Sequence, residues 1–203
     1  METNTARQQD FRNRELSFFD VETTGTQFGY HEIVEIAAIR TTPDGSELGK
    51  LSFKVMPQHP ERLTDAARAV NGFSAEKWAR EATDPVTAFS ELAALTKGSI
   101  AIAHNPTFDR AFISIRIREL GLPSLGVDHH WIGTESLAWP LVLSGTLPSP
   151  RLAEICAHFG VPVEPEPHTA LAGAETALRV YKKLRAVFGG LVLARAREPL
   201  VSS

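Results

Sequence analysis

Two acids two residues apart, Asp20 and Glu22 in the segment Phe19-Asp-Val-Glu-Thr-Thr-Gly25, are the first residues whose types and spacing could do chemistry. On a β-strand, side chains at i and i+2 share a face about 7 Å apart, so the two carboxylates project together. Buried acids at the end of a core strand need a cation or a base to offset their charge, and Mg²⁺ accepts carboxylate oxygens readily. The alternative is a strand that has already emerged into a solvated turn. Thr23, Thr24 and Gly25 follow directly, where glycine allows close backbone approach and exposed N–H and hydroxyl groups can hold a phosphate or a sugar. A second cluster, His104-Asn-Pro-Thr-Phe-Asp-Arg-Ala-Phe112, puts Asp109 in the first turn of a helix, where the dipole favours an anion. Asp109 reads locally as a cap, and His104 and Asn105 read equally well as turn formers. A third, Glu164-Pro-Glu-Pro-His168, sets a histidine just before a long helix on an approach stiffened by Pro165 and Pro167. That histidine is either a helix cap or a mobile general base.

The elements that must position these residues are legible from apolar patterning. Leu16 to Val21 is a mostly apolar run suited to a central strand buried on both faces. Ile33 to Thr41 and Leu51 to Met56 flank Pro43-Asp-Gly45 and predict an antiparallel hairpin. Helical spacing follows through Asp65 to Ala79, broken at Asn71-Gly72, and again at Val86 to Leu95. Ser99 to Ala103 is a fourth strand, and Phe108 to Gly121 is helical. His130 to Ile132 predicts a short fifth strand, followed by helices at Ser136 to Leu143 and Leu152 to Phe159. Ala170 to Phe188 is the clearest helix, closed by Gly189-Gly190. This order implies an α/β fold in which helices cover a mixed sheet. Residues 1–14 predict a disordered, solvated arm, 15–190 the folded domain and 191–203 a tail.

Composition narrows the class. The 203 residues are 43% hydrophobic and 22% charged with a net charge of −3, as in ordinary globular proteins. A single cysteine, Cys156, rules out an intramolecular disulfide and points to a reducing, cytoplasmic compartment. No apolar run approaches the roughly 20 residues that span a bilayer, so no membrane partner is expected. The acidic balance argues against a nucleic-acid partner. Its distribution argues the other way, since Thr176 to Ser203 holds six basic residues and one acid.

The segments FDVETTG, HNPTFDRAF and HTALAGAE, taken in order, resemble the DEDDh branch of the DnaQ-like 3′-to-5′ exonucleases, over about Leu16 to Phe188. The resemblance implies a ribonuclease H-like fold with a five-stranded mixed sheet whose first strand is central. It implies a phosphodiesterase using two Mg²⁺ or Mn²⁺ ions on the 3′ ends of single-stranded DNA or RNA, with a DNA polymerase as a further partner. By motif position Asp20, Glu22 and Asp109 are metal ligands and His168 is the base that deprotonates the attacking water. Thr23, Thr24, Gly25, Asn71, His104, Asn105 and Phe108 fall where the substrate is bound. The pattern's fourth carboxylate, five residues after the histidine, is here Gly173. Thr169, Ala170, Thr176 and Ala177 share a helix face with it and none is acidic, while Glu175 points away. Two divalent ions facing three carboxylates leave the second ion weakly bound. The alternative reading is therefore a catalytically impaired relative that binds nucleic acid or a polymerase. Gly133, where such sequences often carry an aspartate, is a smaller, local departure.

Overall fold

Strand β1 (Leu16–Thr23) is buried at seven of its eight positions because both its faces are covered. Leu16 and Phe18 pack with Ile100, Ile102, Ala170, Ala174 and Ala177 on one face, and Phe19 and Val21 pack with Ala88, Phe89, Leu92, Phe112 and Ile113 on the other. Fully burying one such aromatic or aliphatic side chain contributes about 1.5–3 kcal/mol. The computed structural model describes residues 11–195, with side chains to residue 189. Its sheet has the order β3-β2-β1-β4-β5, with β2 (Ile33–Thr41), β3 (Glu47–Lys54), β4 (Ile100–Ala103) and β5 (Trp131–Gly133). The β1–β2 and β2–β3 pairs are antiparallel; β1–β4 and β4–β5 are parallel. Helices α1 (Asp65–Asn71), α2 (Ala75–Glu81), α3 (Pro85–Thr96), α4 (Pro106–Glu119), α5 (Thr134–Leu143), α6 (Leu152–Phe159) and α7 (Ala170–Arg195) complete the fold. The expected five-stranded mixed sheet with a central first strand is what forms.

The sequence expectations need three corrections. Strand β3 begins at Glu47, not Leu51, because the turn is tight: Gly45 N–H donates to Thr42 O and Thr42 N–H to Ser46 O, so pairing resumes at Thr41↔Glu47. Its edge position leaves Glu47 and Leu48 exposed, which hid the strand's start. Helix α7 runs through Gly189-Gly190 to Arg195; glycine weakens a helix by about 1 kcal/mol but does not forbid it. Phe11–Asn13 is a short 3₁₀ turn, and the Arg14 guanidinium binds the Asp128 carboxylate and the Gly98 carbonyl, so residues 11–14 dock on the domain. Residues 1–10 of the expected arm, and 196–203 of the expected tail, lie outside the described residues. Among the described residues no helix is long and apolar enough to cross a membrane. Cys156 is buried and free.

Candidate active site

Asp20 and Glu22 continue the row begun by Leu16 and Phe18, so the face that packs α7 ends in two carboxylates. Beyond Phe18↔Ile102 strand β4 no longer pairs with β1. The Val21 amide exposed there donates to the Asp109 carboxylate, which α4 carries in from its first turn. Asp109 is 4% exposed and therefore does not act as a solvated cap. Across the sheet Glu22 sits opposite Glu35, and directly beyond them the register slips between Glu22 and Thr23. This bulge turns the chain out of the sheet, a device common beside active sites. The carbonyl of Val34, at the slip, is held by the Val55 amide at 2.8 Å and by the Trp78 indole N–H at 2.7 Å.

The turn after Glu22 is stitched from within. The Thr23 hydroxyl donates to Gly25 O at 2.7 Å, the Thr24 hydroxyl accepts from the Glu32 amide at 3.0 Å, and Asn71 Nδ2 donates to Thr23 O at 2.9 Å. Both threonine hydroxyls are thus engaged in holding the turn. Asn71 also bonds the Glu22 carboxylate, linking α1 to the acid pair. Gly25 has to be glycine, since a β-carbon there would lie 2.6 Å from the His31 ring. Thr23, Gly25, His31, Val70, Asn71 and Phe108 line a cleft of about 460 Å³ that opens beside Glu22, within the range of small-ligand sites. Phe108 stacks against Phe112, with ring centroids 4.8 Å apart, and meets Phe28 at 6.0 Å. His104 and Asn105 are not among the residues that line this cleft. His104 Nδ1 meets the Thr134 hydroxyl at 2.9 Å, knitting the end of β4 to α5, and Asn105 is the residue before α4. Arg116 is buried and ion-paired with Glu119.

His168 sits on the loop between α6 and α7. Its amide donates to Val70 O at 2.8 Å, and a β-carbon on Gly72 would lie 3.2 Å from Pro167, so the loop is docked on the end of α1. His168 Nδ1 lies 3.4 Å from Glu164 Oε2. Gly173 follows one turn into α7, and a β-carbon added there would lie 2.5 Å from Asp20 Cγ: the Asp20 carboxylate occupies the room a side chain would need. Glu175 points away, to Lys50 at 3.3 Å and Arg179 at 2.9 Å. Gly133 has a similar packing reason, since its β-carbon would lie 2.9 Å from Pro106.

The electrostatics of the cluster are those of crowded acids. Burial, then the charges of Asp109, Glu22, Glu164 and Glu35, hold the Asp20 carboxyl well above the ordinary range. Burial, then Glu164 and Glu35, push Glu22 up to about 7. Burial does the same to Asp109, also to about 7, against the pull of backbone N–H donors. Buried carboxylates repelling one another in low dielectric are unstable as anions unless a cation joins them. The donor set of three hard oxygen ligands suits divalent ions such as Mg²⁺ or Mn²⁺.

Two acids near the site were not singled out from the sequence. Glu35 was signalled by an acid inside the apolar run Ile-Val-Glu-Ile-Ala-Ala-Ile. It is bonded by the Ala170 amide and sits 3.5 Å from the Ser52 hydroxyl. Glu164, half-buried before α7, lies in a loop, where apolar periodicity gives no signal of burial.

A family model described as "Exonuclease", of the RNase T type, matches residues 17–181. The PolC-type DNA polymerase III of Halalkalibacterium halodurans is 27% identical over 161 residues, which are 79% of this chain and 11% of that protein. The ribonuclease T of Shewanella frigidimarina is 32% identical over 129 residues, 55% of this chain and 58% of that protein. The chain thus spans less than two thirds of each of these relatives. Among solved structures, E. coli exonuclease I in complex with a dT13 oligonucleotide superposes with a TM-score of 0.75 at 16% identity, over 88% of this chain and 43% of that one. With the fold, the three acids and the histidine in place, the chain belongs to the exonuclease family, as a DnaQ-like member of the ribonuclease H-like superfamily.

Proposed function

We propose that the protein is a 3′-to-5′ exonuclease that hydrolyses the terminal phosphodiester bond of single-stranded DNA or RNA with the help of Mg²⁺ or Mn²⁺. The observation that carries this reading is the Asp109 carboxylate bonded by the Val21 amide between Asp20 and Glu22, with Glu22 lining the 460 Å³ cleft and His168 docked on the cleft wall through Val70. Asp20, Glu22 and Asp109 would hold the cations, which supply activation of a water and charge neutralisation at the leaving oxygen. His168 takes the water proton on Nε2, because Nδ1 faces Glu164. The water oxygen bonds to the terminal phosphorus, the P–O3′ bond breaks, the departing 3′ oxygen gains a proton, and a nucleoside monophosphate leaves. Phe108 offers a ring face to the terminal base, and Thr23, Gly25 and Asn71 shape the wall that receives its sugar and phosphate. The dT13 complex of exonuclease I supports single-stranded DNA as substrate, the likeness to ribonuclease T supports RNA, and the PolC-type relatives support association with a polymerase. The free cysteine supports a cytoplasmic setting.

The test is digestion of oligonucleotides labelled at the 3′ or the 5′ end, with Mg²⁺ or Mn²⁺ and with EDTA. Metal-dependent release of the 3′ label as mononucleotide is expected, and activity surviving Asp20→Ala refutes the site. Gly173 favours a second reading, an impaired relative that binds nucleic acid without cleaving it. That reading requires binding without turnover in the same assay.

A further inference from the structure

We propose that a second cleft, on the flank of α4 away from Phe108, holds the single strand upstream of its terminal nucleotide, with Arg110 and Arg118 on the phosphates and Trp131 against a base. Because the strand is the substrate of the exonuclease reading, the inference rests on that reading for its ligand.

This cleft has a volume of about 650 Å³ and lies between α4 and the segment 121–131 that leads into β5. Arg110, Ser114, Arg118 and Gly121 line it from α4, and their spacing of four, four and three residues places them on one stripe of the helix. Phe108, which lines the cleft beside Glu22, stands about 200° round the helix from Arg110, so α4 separates the two spaces. They approach each other at the helix start. Asp109 lies between Phe108 and Arg110, and Gly133 at the end of β5 packs so closely on Pro106 that a β-carbon there would lie 2.9 Å from it. A strand that leaves the acids over the turn before α4 therefore reaches the second cleft at Arg110.

The charges of this cleft are open to a polyanion. Arg110 and Arg118 are exposed, and among the described residues neither guanidinium has a hydrogen-bond or ion-pair partner. Arg116 of the same helix is, by contrast, buried and paired with Glu119. The acid of the cleft, Asp128, is already held by the Arg14 guanidinium and by the His130 amide and ring, so its charge is met. Eight residues separate the two arginines, about 12 Å along the axis, which spans about three to four nucleotides at a stacked spacing of roughly 3.4 Å. Trp131 is partly exposed and braced by Phe19 at 5.2 Å, and buried Ile113 and Leu125 give the cleft an apolar floor. Unpaired cations beside a fixed aromatic ring bind single strands without reading sequence, since phosphates meet the cations and bases stack on the ring.

Fluorescence anisotropy with 5′-labelled thymidine strands of three and of twelve nucleotides, on the whole chain in EDTA, tests this without cleavage. The longer strand is expected to bind more tightly. Arg110→Gln combined with Arg118→Gln should weaken it about tenfold or more at low salt and make the slope of log affinity against log salt shallower by about 1.4, two single-strand phosphate contacts at about 0.7 each. The shorter strand should bind that variant and the unmodified chain alike. Lys77→Gln combined with Arg80→Gln, which removes two exposed charges from α2, should leave both strands bound as before. Trp131→Leu should weaken the longer strand about fivefold or more with the salt slope unchanged, and if that variant is unfolded the exposed arginine pair decides alone. Unchanged affinity and slope for the longer strand after the arginines are replaced overturns the proposal, leaves the exonuclease reading standing and gives the cleft to a protein partner. An equal loss for both lengths overturns it too, because the arginines would then act on the terminal nucleotide. Thymidine monophosphate bound as tightly as the longer strand, and lost with the arginines, makes the cleft a free-nucleotide site and likewise overturns it. An unmodified chain that binds neither length overturns it as well, while release of the 3′ label judges the exonuclease reading separately.

Discussion

Replacing Glu22 by glutamine should stabilise the metal-free protein at pH 8 while weakening its response to metal. Burial and the charges of Glu164 and Glu35 raise the Glu22 pKa from 4.5 to about 7. An acid whose pKa is raised on folding holds its proton more tightly in the native state, so stability is fully present below pH 4.5 and is lost as pH rises through 7. A rise from 4.5 to about 7 corresponds to about 3 kcal/mol of native-state penalty once the group is ionised. Glutamine removes that penalty and keeps the shape. For a domain of this size each kcal/mol moves Tm by roughly 2–4 °C, so a rise of up to about 10 °C is expected at pH 8 in EDTA, with little change at pH 5. Saturating Mn²⁺ should raise the Tm of the unmodified chain by linkage and that of the variant by much less. Differential scanning calorimetry at pH 5 and pH 8, with and without Mn²⁺, gives all four numbers. A variant less stable than the unmodified chain in EDTA at pH 8 would refute the claim that uncompensated carboxylate charge strains the site.

Four further outcomes follow from the same geometry. His168→Ala should lower mononucleotide release by about 10²–10⁴-fold, as expected for loss of a general base, with Mn²⁺ binding by calorimetry unchanged. Gly173→Ala should destabilise the metal-free chain by about 1–3 kcal/mol in urea unfolding, because its methyl overlaps the Asp20 carboxylate. Gly173→Asp should likewise fail to raise turnover, whereas a gain of tenfold or more would favour the impaired reading. Asn71→Ala removes a buried amide that bonds Thr23 O and receives the Phe73 amide, so about 1–3 kcal/mol should be lost in the same unfolding assay, with weaker oligonucleotide binding.

The site also accounts for the net charge. Glu22 and Asp109, two of the acids that make the chain negative, are buried, while Arg179, Lys182, Lys183 and Arg185 of α7 do not line the cleft; Arg179 pairs with Glu175. An average over the chain is blind to this separation, and the interior placement of Asp109 and Glu22 is what gives their charge its effect.

Much of this was legible in the residues alone. The ends of β2 at Ile33 and Thr41 coincide with the apolar run, and the i, i+2 spacing put Asp20 and Glu22 on one face, because strand period and burial are local properties. The motif positions of Asp109 and His168 pointed to the acids of β1 although some 85 to 150 residues intervene. Tertiary structure decided the rest, because it concerns which atoms occupy a shared volume. Only packing shows that Asp20 fills the space beside Gly173, that Thr23 and Thr24 spend their hydroxyls holding a turn, and that His104 ties β4 to α5. Only packing leaves Glu164 largely covered beside His168 and Glu166 exposed on a loop whose sequence treats them alike. Periodicity carries no information about a loop between two helices, so the burial of its side chains shows only once both ends of that loop are anchored.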